Sequence, residues 1–294
     1  MIYLKDLIRI SSASLSCLYP EREAREMVFI LLERLLGTQR YTHIIEPLAV
    51  VPDEKAETVE KACARLAGGE PLQYVIGTAS FYGRDFCVSP SVLIPRPETE
   101  MLCRMALEAL NSRSARILDM CTGSGCIAWT MALESPHSEV TAVDISEAAL
   151  EIARSQDFSE EMGRTGAAAP VFVKADVLDE PLIFEENGSG KNLFDMILSN
   201  PPYVMDKEKA FMRSNVLDHE PHLALFVSDD DPLLFYRAVA RWSERLLADG
   251  GIGMVEINEA LGKETAEVFL DAGFKSAETV KDLSDRDRFV IFRK

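Results

Sequence analysis

From residue 115 onward, short apolar runs rich in strand-forming residues alternate with segments of helical periodicity. The runs predicted as strands are 115–120, 139–144, 170–174, 194–199, 251–257 and 289–292. Helical patterns fill the gaps between them, for example at 146–155 and 232–247. Because two parallel strands need a crossover connection between them, this alternation favours a mainly parallel sheet with helices on both faces. The sequence therefore predicts a doubly wound α/β domain.

The first 70 residues carry helical patterns and no strand signal. Residues 21–36 place apolar side chains at offsets of three and four, and Gly37 follows them as a typical helix end. A second helix is predicted from Asp53, as a candidate N-cap, to Leu66. These patterns indicate a small helical domain.

Residues 72–93 change in character, with short β-prone runs at 74–76, 80–82 and 86–88 separated by Gly77 and Gly83. Such runs are typical of a hairpin. Residues 185–191 contain two glycines and predict a surface loop. The predicted organisation is a helical domain over 1–70, a β-hairpin linker over 71–96 and an α/β domain over 97–294.

The charge balance constrains the partners of this chain. Lys and Arg number 31 and Asp and Glu number 48, which gives a net charge of −17. Such a protein repels a phosphate backbone, so broad nucleic-acid binding is disfavoured and a basic protein partner is favoured. The six cysteines form no CxxC pair, and no apolar run approaches the ~18 residues of a membrane span. We expect a cytoplasmic monomer without a metal site or membrane segment.

A glycine-containing turn follows the first strand of the α/β domain, in the sequence Asp119-Met120-Cys121-Thr122-Gly123-Ser124-Gly125. Gly123 and Gly125 allow the backbone to come close to a ligand at the carboxyl end of the strand. Doubly wound sheets bind ligands at this edge. The third glycine of a dinucleotide fingerprint is missing, and a simple tight turn remains an alternative.

Two further strands end in acidic residues. Asp144 ends the second strand, where a carboxylate can bind both ribose hydroxyls of an adenosine. Asp176 and Val177 end the third strand, where Asp176 could accept from an adenine amino group and Val177 could pack on the ring. Helix capping is the alternative for each aspartate. Together with the turn, these positions predict an adenosine site.

The fourth strand ends in Asn200-Pro201-Pro202-Tyr203. The prolines lack an N–H and fix the backbone, so the Pro201 carbonyl and the Asn200 side-chain carbonyl can converge on both hydrogens of a planar –NH2 group. Tyr203 can stack on a flat substrate. Beside an adenosine site, this arrangement favours methyl transfer from S-adenosylmethionine to an amide-type nitrogen. Alignment and acceptor hydrogen bonds suffice for that reaction, without a dedicated base.

The sequence resembles the protein-(glutamine-N5) methyltransferases that modify peptide-chain release factors. The resemblance covers nearly the whole chain. It rests on residues 69–77, 81–83 and 94–100, on the Asp119 turn, Asp144 and Asn200 to Tyr203, and on Glu220-Pro221 and Ala224-Leu225. The Asn-Pro-Pro-Tyr motif alone is less specific, because DNA adenine-N6 methyltransferases share it.

This resemblance implies a Rossmann-like, seven-stranded class I methyltransferase domain behind a helical domain that helps to hold the release factor. It implies that the acceptor is the glutamine of a Gly-Gly-Gln loop. The implied cofactor contacts are Asp119, Met120, Cys121, Thr122, Gly123, Asp144, Asp176, Val177 and Asn200. The implied catalytic and substrate residues are Asn200, Pro201, Pro202 and Tyr203. Met120 and Cys121 depart from the commoner Leu-Gly, and Cys121 adds a side chain beside the cofactor. Residues 96–100 are expected to close the pocket.

Three alternatives remain at this point. A nucleic-acid adenine-N6 methyltransferase would share the tetrapeptide but would need a basic cleft. A ribosomal-protein glutamine methyltransferase would use the same chemistry on another protein. A non-enzymatic adenosine-binding adaptor would not need an intact Asn200-Pro201-Pro202-Tyr203.

Overall fold

The computed structural model describes residues 1–182 and 193–294, so the loop predicted at 185–191 lies outside the described residues. The helices are α1 (Leu4–Leu15), α2 (Glu21–Leu36), α3 (Thr42–Ile45), α4 (Asp53–Ala67), α5 (Leu72–Ile76), α6 (Pro97–Leu110), α7 (Cys126–Glu134), α8 (Glu147–Arg154), α9 (Ser159–Thr165), α10 (Ser214–His219), α11 (His222–Leu225), α12 (Leu234–Leu246) and α13 (Gly262–Asp271). The strands are β1 (Ile2–Tyr3), β2 (Val50–Val51), β3 (Thr78–Phe81), β4 (Arg84–Cys87), β5 (Arg116–Met120), β6 (Glu139–Asp144), β7 (Val171–Lys174), β8 (Phe194–Ser199), β9 (Val204–Met205), β10 (Phe226–Val227), β11 (Leu247–Glu256), β12 (Ser276–Lys281) and β13 (Asp287–Arg293).

The chain divides into two compact units. The first contains Met1–Thr78 and Arg213–His219, and the second contains Ala79–Met212 and Glu220–Lys294. Short 3-10 helices at Asp206–Phe211 and Glu259–Leu261 belong to the second unit. Among the described residues, no helix has both the length and the apolar character needed to cross a membrane.

The first unit is built around α1, α2 and α4, whose apolar faces share one core. Helix α2 has the predicted bounds and ends at Gly37, which adopts a left-handed φ of 69°. Helix α4 begins at Asp53 itself, so Asp53 is its first residue and Pro52 is the N-cap. The first 70 residues show no strand signal in the sequence, yet β1 and β2 form a two-residue antiparallel pair there. Strands this short leave no periodicity to detect.

The predicted hairpin lies at β3 and β4, which pair around Tyr82 and Gly83. Both turn residues have positive φ, 49° and 74°, as tight hairpin turns require. The expectation of a strand at Tyr74–Ile76 is wrong, because Leu72–Ile76 is helical. Two backbone N–H groups in that helix donate to the Pro71 carbonyl, and burial of Tyr74 and Val75 outweighs their β propensity.

The second unit contains a seven-stranded sheet in the order β12-β13-β11-β8-β5-β6-β7. Strands β11, β8, β5, β6 and β7 run parallel, and β13 is antiparallel to both β11 and β12. Strand β12 was not predicted, because its sequence Ser-Ala-Glu-Thr-Val-Lys contains no apolar run and forms a sheet edge. Helices α6 and α7 contribute to the core on one face, and α12 and α13 contribute to the other. The predicted α/β fold is confirmed.

The register of the parallel strands brings their carboxyl ends together. Met120 at the end of β5 lies opposite Val143 in β6 and Ser199 in β8. The residues that follow these three positions are therefore close in space, although they are separated by tens of positions in the sequence. This edge of the sheet is where ligands bind in doubly wound folds.

Gly253 in β11 offers a test of the packing between β11 and β13. A Cβ at this position would overlap the ring of Phe292, so Gly253→Ala forces the two strands to move. We expect a loss of about 1–3 kcal/mol in unfolding free energy, as for other overpacked cores. Denaturant unfolding measures this change.

The matched control is Gly163→Ala in α9, where an added Cβ meets nothing within 4 Å. Alanine favours a helix over glycine by about 0.8–1 kcal/mol, so this variant is expected to be at least as stable as the parent. Equal stability of the Gly253→Ala variant and the parent would contradict the packing described above.

Candidate active site

The loop between β5 and α7 is held by its own backbone geometry. Cys121 and Gly123 both adopt left-handed φ values, 60° and 55°, and Gly125 has a φ of 80°. The Thr122 N–H donates to the Val143 carbonyl at 3.1 Å, which ties the loop to β6. An added Cβ at Gly123 would meet no atom of the described residues within 4 Å, whereas one at Gly125 would crowd Ala153 and Trp129. Gly125 therefore serves packing, and Gly123 faces open space.

Asp119 lies behind this loop and is fully buried. Its Oδ2 accepts hydrogen bonds from Thr122 Oγ1 at 2.5 Å and from the Ala128 N–H at 3.2 Å. Its Oδ1 has no hydrogen-bond partner among the described residues. Burial, with the nearby negative charge of Asp144, raises the pKa of Asp119 to about 7. Asp119 thus shapes the loop and the start of α7 from inside the protein.

Asp144 is partly buried at the end of β6 and holds two loops at once. Its Oδ2 accepts from the Gly123 N–H at 2.8 Å and its Oδ1 accepts from the Ser146 N–H at 2.9 Å. Burial raises the pKa of Asp144, although the backbone donors oppose the shift. The cap of α8 is Ser146, whose hydroxyl accepts from the Ala149 N–H. The capping alternative for Asp144 is therefore wrong.

A cavity opens at this edge of the sheet, with about 1090 Å³ of space free of protein atoms, including open solvent at its mouth. Its lining combines apolar side chains with a few polar groups, as small-molecule sites do. The predicted site residues that line it are Cys121, Thr122, Gly123, Asp144, Asp176, Val177, Asn200 and Pro202. Asp119, Met120, Pro201 and Tyr203 were predicted beside them and do not line it.

One wall of the cavity is formed by residues that follow β6 and β7. Val177 is buried, and the exposed side chains of Ile145 and Leu178 also line the wall. The Asp176 Oδ1 accepts from the Leu178 N–H at 2.8 Å, which makes a local turn. The second oxygen of the Asp176 carboxylate takes no part in this turn, and the wall of the cavity at this point is mainly apolar. Within residues 1–182 and 193–294, no cluster of three metal-ligating side chains occurs.

The tetrapeptide after β8 has both prolines buried and Asn200 at the cavity. The Asn200 Nδ2 donates to Thr99 Oγ1 at 3.1 Å. The Tyr203 hydroxyl donates to Glu256 Oε1 at 2.9 Å, and burial raises the pKa of Tyr203. Tyr203 is thus anchored through its hydroxyl at a point away from the cavity lining.

Glu256, at the end of β11, was not singled out from the sequence. Its side chain is buried, and its Oε2 accepts from Thr99 Oγ1 at 2.7 Å. Burial raises the pKa of Glu256, while the hydrogen bonds from Thr99 and Tyr203 oppose that shift. Asp144 was singled out because an acidic residue ends an apolar strand, and the same signal is present at Glu256.

A second long-range pair borders the cavity. Arg96 donates through Nη2 to Glu220 Oε1 at 2.7 Å, and Glu220 Oε2 accepts from the Ile94 N–H at 3.2 Å. Glu220 is buried, and Arg96 lines the cavity. This pair joins the segment before α6 to the segment before α11.

Comparison with known proteins shows which family has this architecture. Residues 98–220 match the family model of the methyltransferase small domain, and residues 6–77 match that of the PrmC N-terminal domain. A release factor glutamine methyltransferase of Bacteroides thetaiotaomicron is 38% identical over 277 residues, covering 94% of this chain and 95% of the relative. One of Flavobacterium psychrophilum is 35% identical and covers 94% of both chains. The chain belongs to the family of release factor glutamine methyltransferases.

This protein is therefore an S-adenosylmethionine-dependent methyltransferase with the class I fold. The solved hMettl16 catalytic domain, in complex with a 3'UTR hairpin, shares the fold alone. It is 12% identical, with a TM-score of 0.53 over 82% of this chain and 81% of that one.

The buried Asp119 predicts a pH dependence of stability. Because its pKa rises from 3.8 to about 7 on folding, the folded protein keeps a proton that the unfolded chain releases. The stabilising contribution of protonated Asp119 is complete below the pKa of the unfolded chain, 3.8, and is lost as the pH rises through about 7. We expect Asp119 to lower the unfolding free energy by up to about 4 kcal/mol between pH 4 and pH 8.

Asp119→Asn is the matched control, because the amide oxygen still accepts from Thr122 and the –NH2 occupies the position of the unpartnered oxygen. Urea unfolding at several pH values is expected to show a smaller fall for this variant than for the parent. Asp144 also has a raised pKa and is present in both proteins, so the difference between the two profiles reports the removal of the Asp119 carboxylate. Identical pH profiles would show that Asp119 does not titrate in this window.

Proposed function

We propose that this protein transfers a methyl group from S-adenosylmethionine to the side-chain amide nitrogen, N5, of the glutamine in the Gly-Gly-Gln motif of peptide-chain release factors. The observation that carries this proposal is the Asn200 amide at the cavity. Its Nδ2 is committed to Thr99 Oγ1 at 3.1 Å. Its oxygen is therefore the group left to accept from a substrate –NH2.

The cavity residues fit the proposed cofactor. Gly123 faces open space where a Cβ would intrude, and Asp144 places carboxylate oxygens at the cavity. We propose that Asp144 accepts from the ribose hydroxyls, since a carboxylate has about four acceptor sites and the backbone donors of Gly123, Ile145 and Ser146 do not use them all. Val177 would pack on the adenine and Asp176 would accept from its amino group. The implied contacts of Asp119 and Met120 would be indirect, through the shape of the loop, with Cys121, Thr122 and Gly123 in contact.

The chain's own residues would align the acceptor. The Asn200 oxygen and the Pro201 carbonyl would each accept one amide hydrogen, and the buried prolines keep that carbonyl fixed. Pro202, which lines the cavity, would support the flat amide group, and Tyr203 would hold the segment in place through its hydroxyl. When bound, S-adenosylmethionine would supply an activated methyl group. The residues of this chain would contribute mainly by positioning the acceptor nitrogen for it.

The helical unit would supply the surface for the protein substrate. Four apolar side chains within residues 41–48 are exposed: Tyr41, Ile44, Ile45 and Leu48 expose 62%, 63%, 75% and 74% of their area. Exposed apolar side chains are common at protein interfaces. We propose that residues 1–70 recognise the release factor, that 71–96 act as a linker and that 97–294 perform the transfer. The protein would act as a cytoplasmic monomer, without binding nucleic acid directly.

Transfer of label from S-adenosylmethionine tests the substrate directly. Purified release factor, ribosomal proteins, DNA and a short Gly-Gly-Gln peptide are offered separately to the full-length enzyme. We expect label in the release factor glutamine, with the peptide a weaker substrate because it lacks the remaining interface. Label in DNA adenine or only in ribosomal proteins would replace this proposal with the corresponding alternative.

Asn200→Ala tests the chemical step. Removing one preorganised hydrogen-bonding group commonly lowers the rate by about 10²–10³, and we expect that loss in single-turnover methylation of the release factor. Cofactor affinity, measured by calorimetry, is expected to fall much less. A near-parental single-turnover rate would reduce the tetrapeptide to a structural turn.

Asp144→Ala tests the ribose contact. Loss of hydrogen bonds to a charged group is expected to weaken cofactor binding roughly 10- to 100-fold. Asp144→Asn keeps one acceptor oxygen and is expected to bind with intermediate affinity. The control is Asp249→Ala, which removes an exposed carboxylate within β11. Calorimetry on the folded variants gives the affinities, and parental affinity in Asp144→Ala would reject the assignment.

A further inference from the structure

Asn200, Thr99, Glu256 and Tyr203 form one hydrogen-bonded chain beneath the cavity. Thr99 lies in α6, Glu256 at the end of β11, and the other two in the segment after β8. The links are Asn200 Nδ2 to Thr99 Oγ1 at 3.1 Å, Thr99 Oγ1 to Glu256 Oε2 at 2.7 Å, and Tyr203 OH to Glu256 Oε1 at 2.9 Å. Glu256 thus contacts one end of the tetrapeptide directly and the other through Thr99.

The direction of this chain follows from the chemistry of its groups. An ionised carboxylate only accepts hydrogen bonds, and a threonine hydroxyl carries a single proton. Since Thr99 donates its proton to Glu256, only its lone pairs remain for Asn200. A lone pair must be met by a donor, which in the Asn200 side chain is the –NH2 group. The two ends of a side-chain amide have nearly the same shape, so this contact decides which end faces the cavity.

The opposite orientation would be unproductive. With its –NH2 group towards the cavity, Asn200 would present hydrogens to the hydrogens of the acceptor amide. Thr99 and Glu256 are 2% and 1% exposed, so water does not compete for these bonds. A chain of buried hydrogen bonds also holds each member more firmly than a single bond would.

We infer that Thr99 and Glu256 are positioning residues of the acceptor site, which hold the Asn200 amide with its oxygen towards the substrate nitrogen. Glu256 also restrains the hydroxyl of Tyr203, so that one buried carboxylate fixes both ends of the tetrapeptide. This inference rests on the proposed function, in which Asn200 accepts from the substrate –NH2.

The main test compares Thr99→Val with Thr99→Ser. Valine keeps the shape but lacks the hydroxyl, so Asn200 is no longer held in one orientation. We expect kcat for release factor methylation to fall roughly 10- to 100-fold, below the full effect of losing an acceptor. The Kd for S-adenosylmethionine is expected to stay within about threefold of the parent value. Serine keeps the hydroxyl, so we expect the kcat of Thr99→Ser to be at least tenfold higher than that of Thr99→Val.

Thr99→Ala replaces the valine variant if the latter does not fold, because alanine is smaller and also lacks the hydroxyl. Equal kcat values for the serine and valine (or alanine) variants would overturn the inference, because the hydroxyl would then have no role. Parental kcat in Thr99→Val would overturn it as well. If Asn200→Ala is inactive while Thr99→Val is fully active, the inference fails alone. If both are fully active, the role of Asn200 as the acceptor of the substrate –NH2 fails. If the parent protein transfers no label to the release factor, the proposed function itself fails.

A double-mutant cycle tests whether Glu256 acts through Thr99. Glu256→Gln has one oxygen and one –NH2 for two contacts that both need an acceptor, so we expect a lower kcat for this variant. The variant carrying both Thr99→Val and Glu256→Gln is expected to lose clearly less kcat than the product of the two single losses. Both changes act on the Asn200 amide, and only Glu256→Gln also disturbs Tyr203. Losses in kcat that multiply in the double variant would show independent roles and overturn the relay.

Discussion

The parallel register of β5 with β6 and β8 is the constraint on which the site depends. Backbone hydrogen bonds place Met120 opposite Val143 and Ser199, and the residues that follow each strand then meet at one edge. This register brings the glycine loop, Asp144 and Asn200 to one cavity. A shift of one residue would turn each strand's side chains to the opposite face, so burial on both faces of the sheet protects the register.

Three buried or partly buried carboxylates support this edge from within. Asp119 holds Thr122 and the start of α7, Asp144 holds Gly123 and Ser146, and Glu256 holds Thr99 and Tyr203. Burial raises the pKa of each of them, which means that their charge works against stability. A buried charge of this kind is tolerated where its hydrogen bonds fix a geometry that apolar packing could not specify.

Much of the fold was predictable because its signals are local. The apolar runs at 139–144 and 194–199 and the helix at 21–36 have the predicted bounds, since periodicity and strand length are written in consecutive residues. The failures have physical causes as well. Strand β12 lies at the edge of the sheet without an apolar run, and Leu72–Ile76 is helical because tertiary burial outweighs the β propensity of its residues.

The sequence by itself determined which chemistry lies at the strand ends, because a carboxylate, a glycine loop and a rigid Asn-Pro-Pro-Tyr turn each act through neighbouring positions. Only the tertiary structure decided that Asp119 lies behind the loop and that Asn200 is oriented by Thr99 and Glu256. Thr99 and Glu256 are separated by 157 positions, and Arg96 and Glu220 by 124. Contacts between such distant residues depend on strand order and helix placement, which no local pattern encodes.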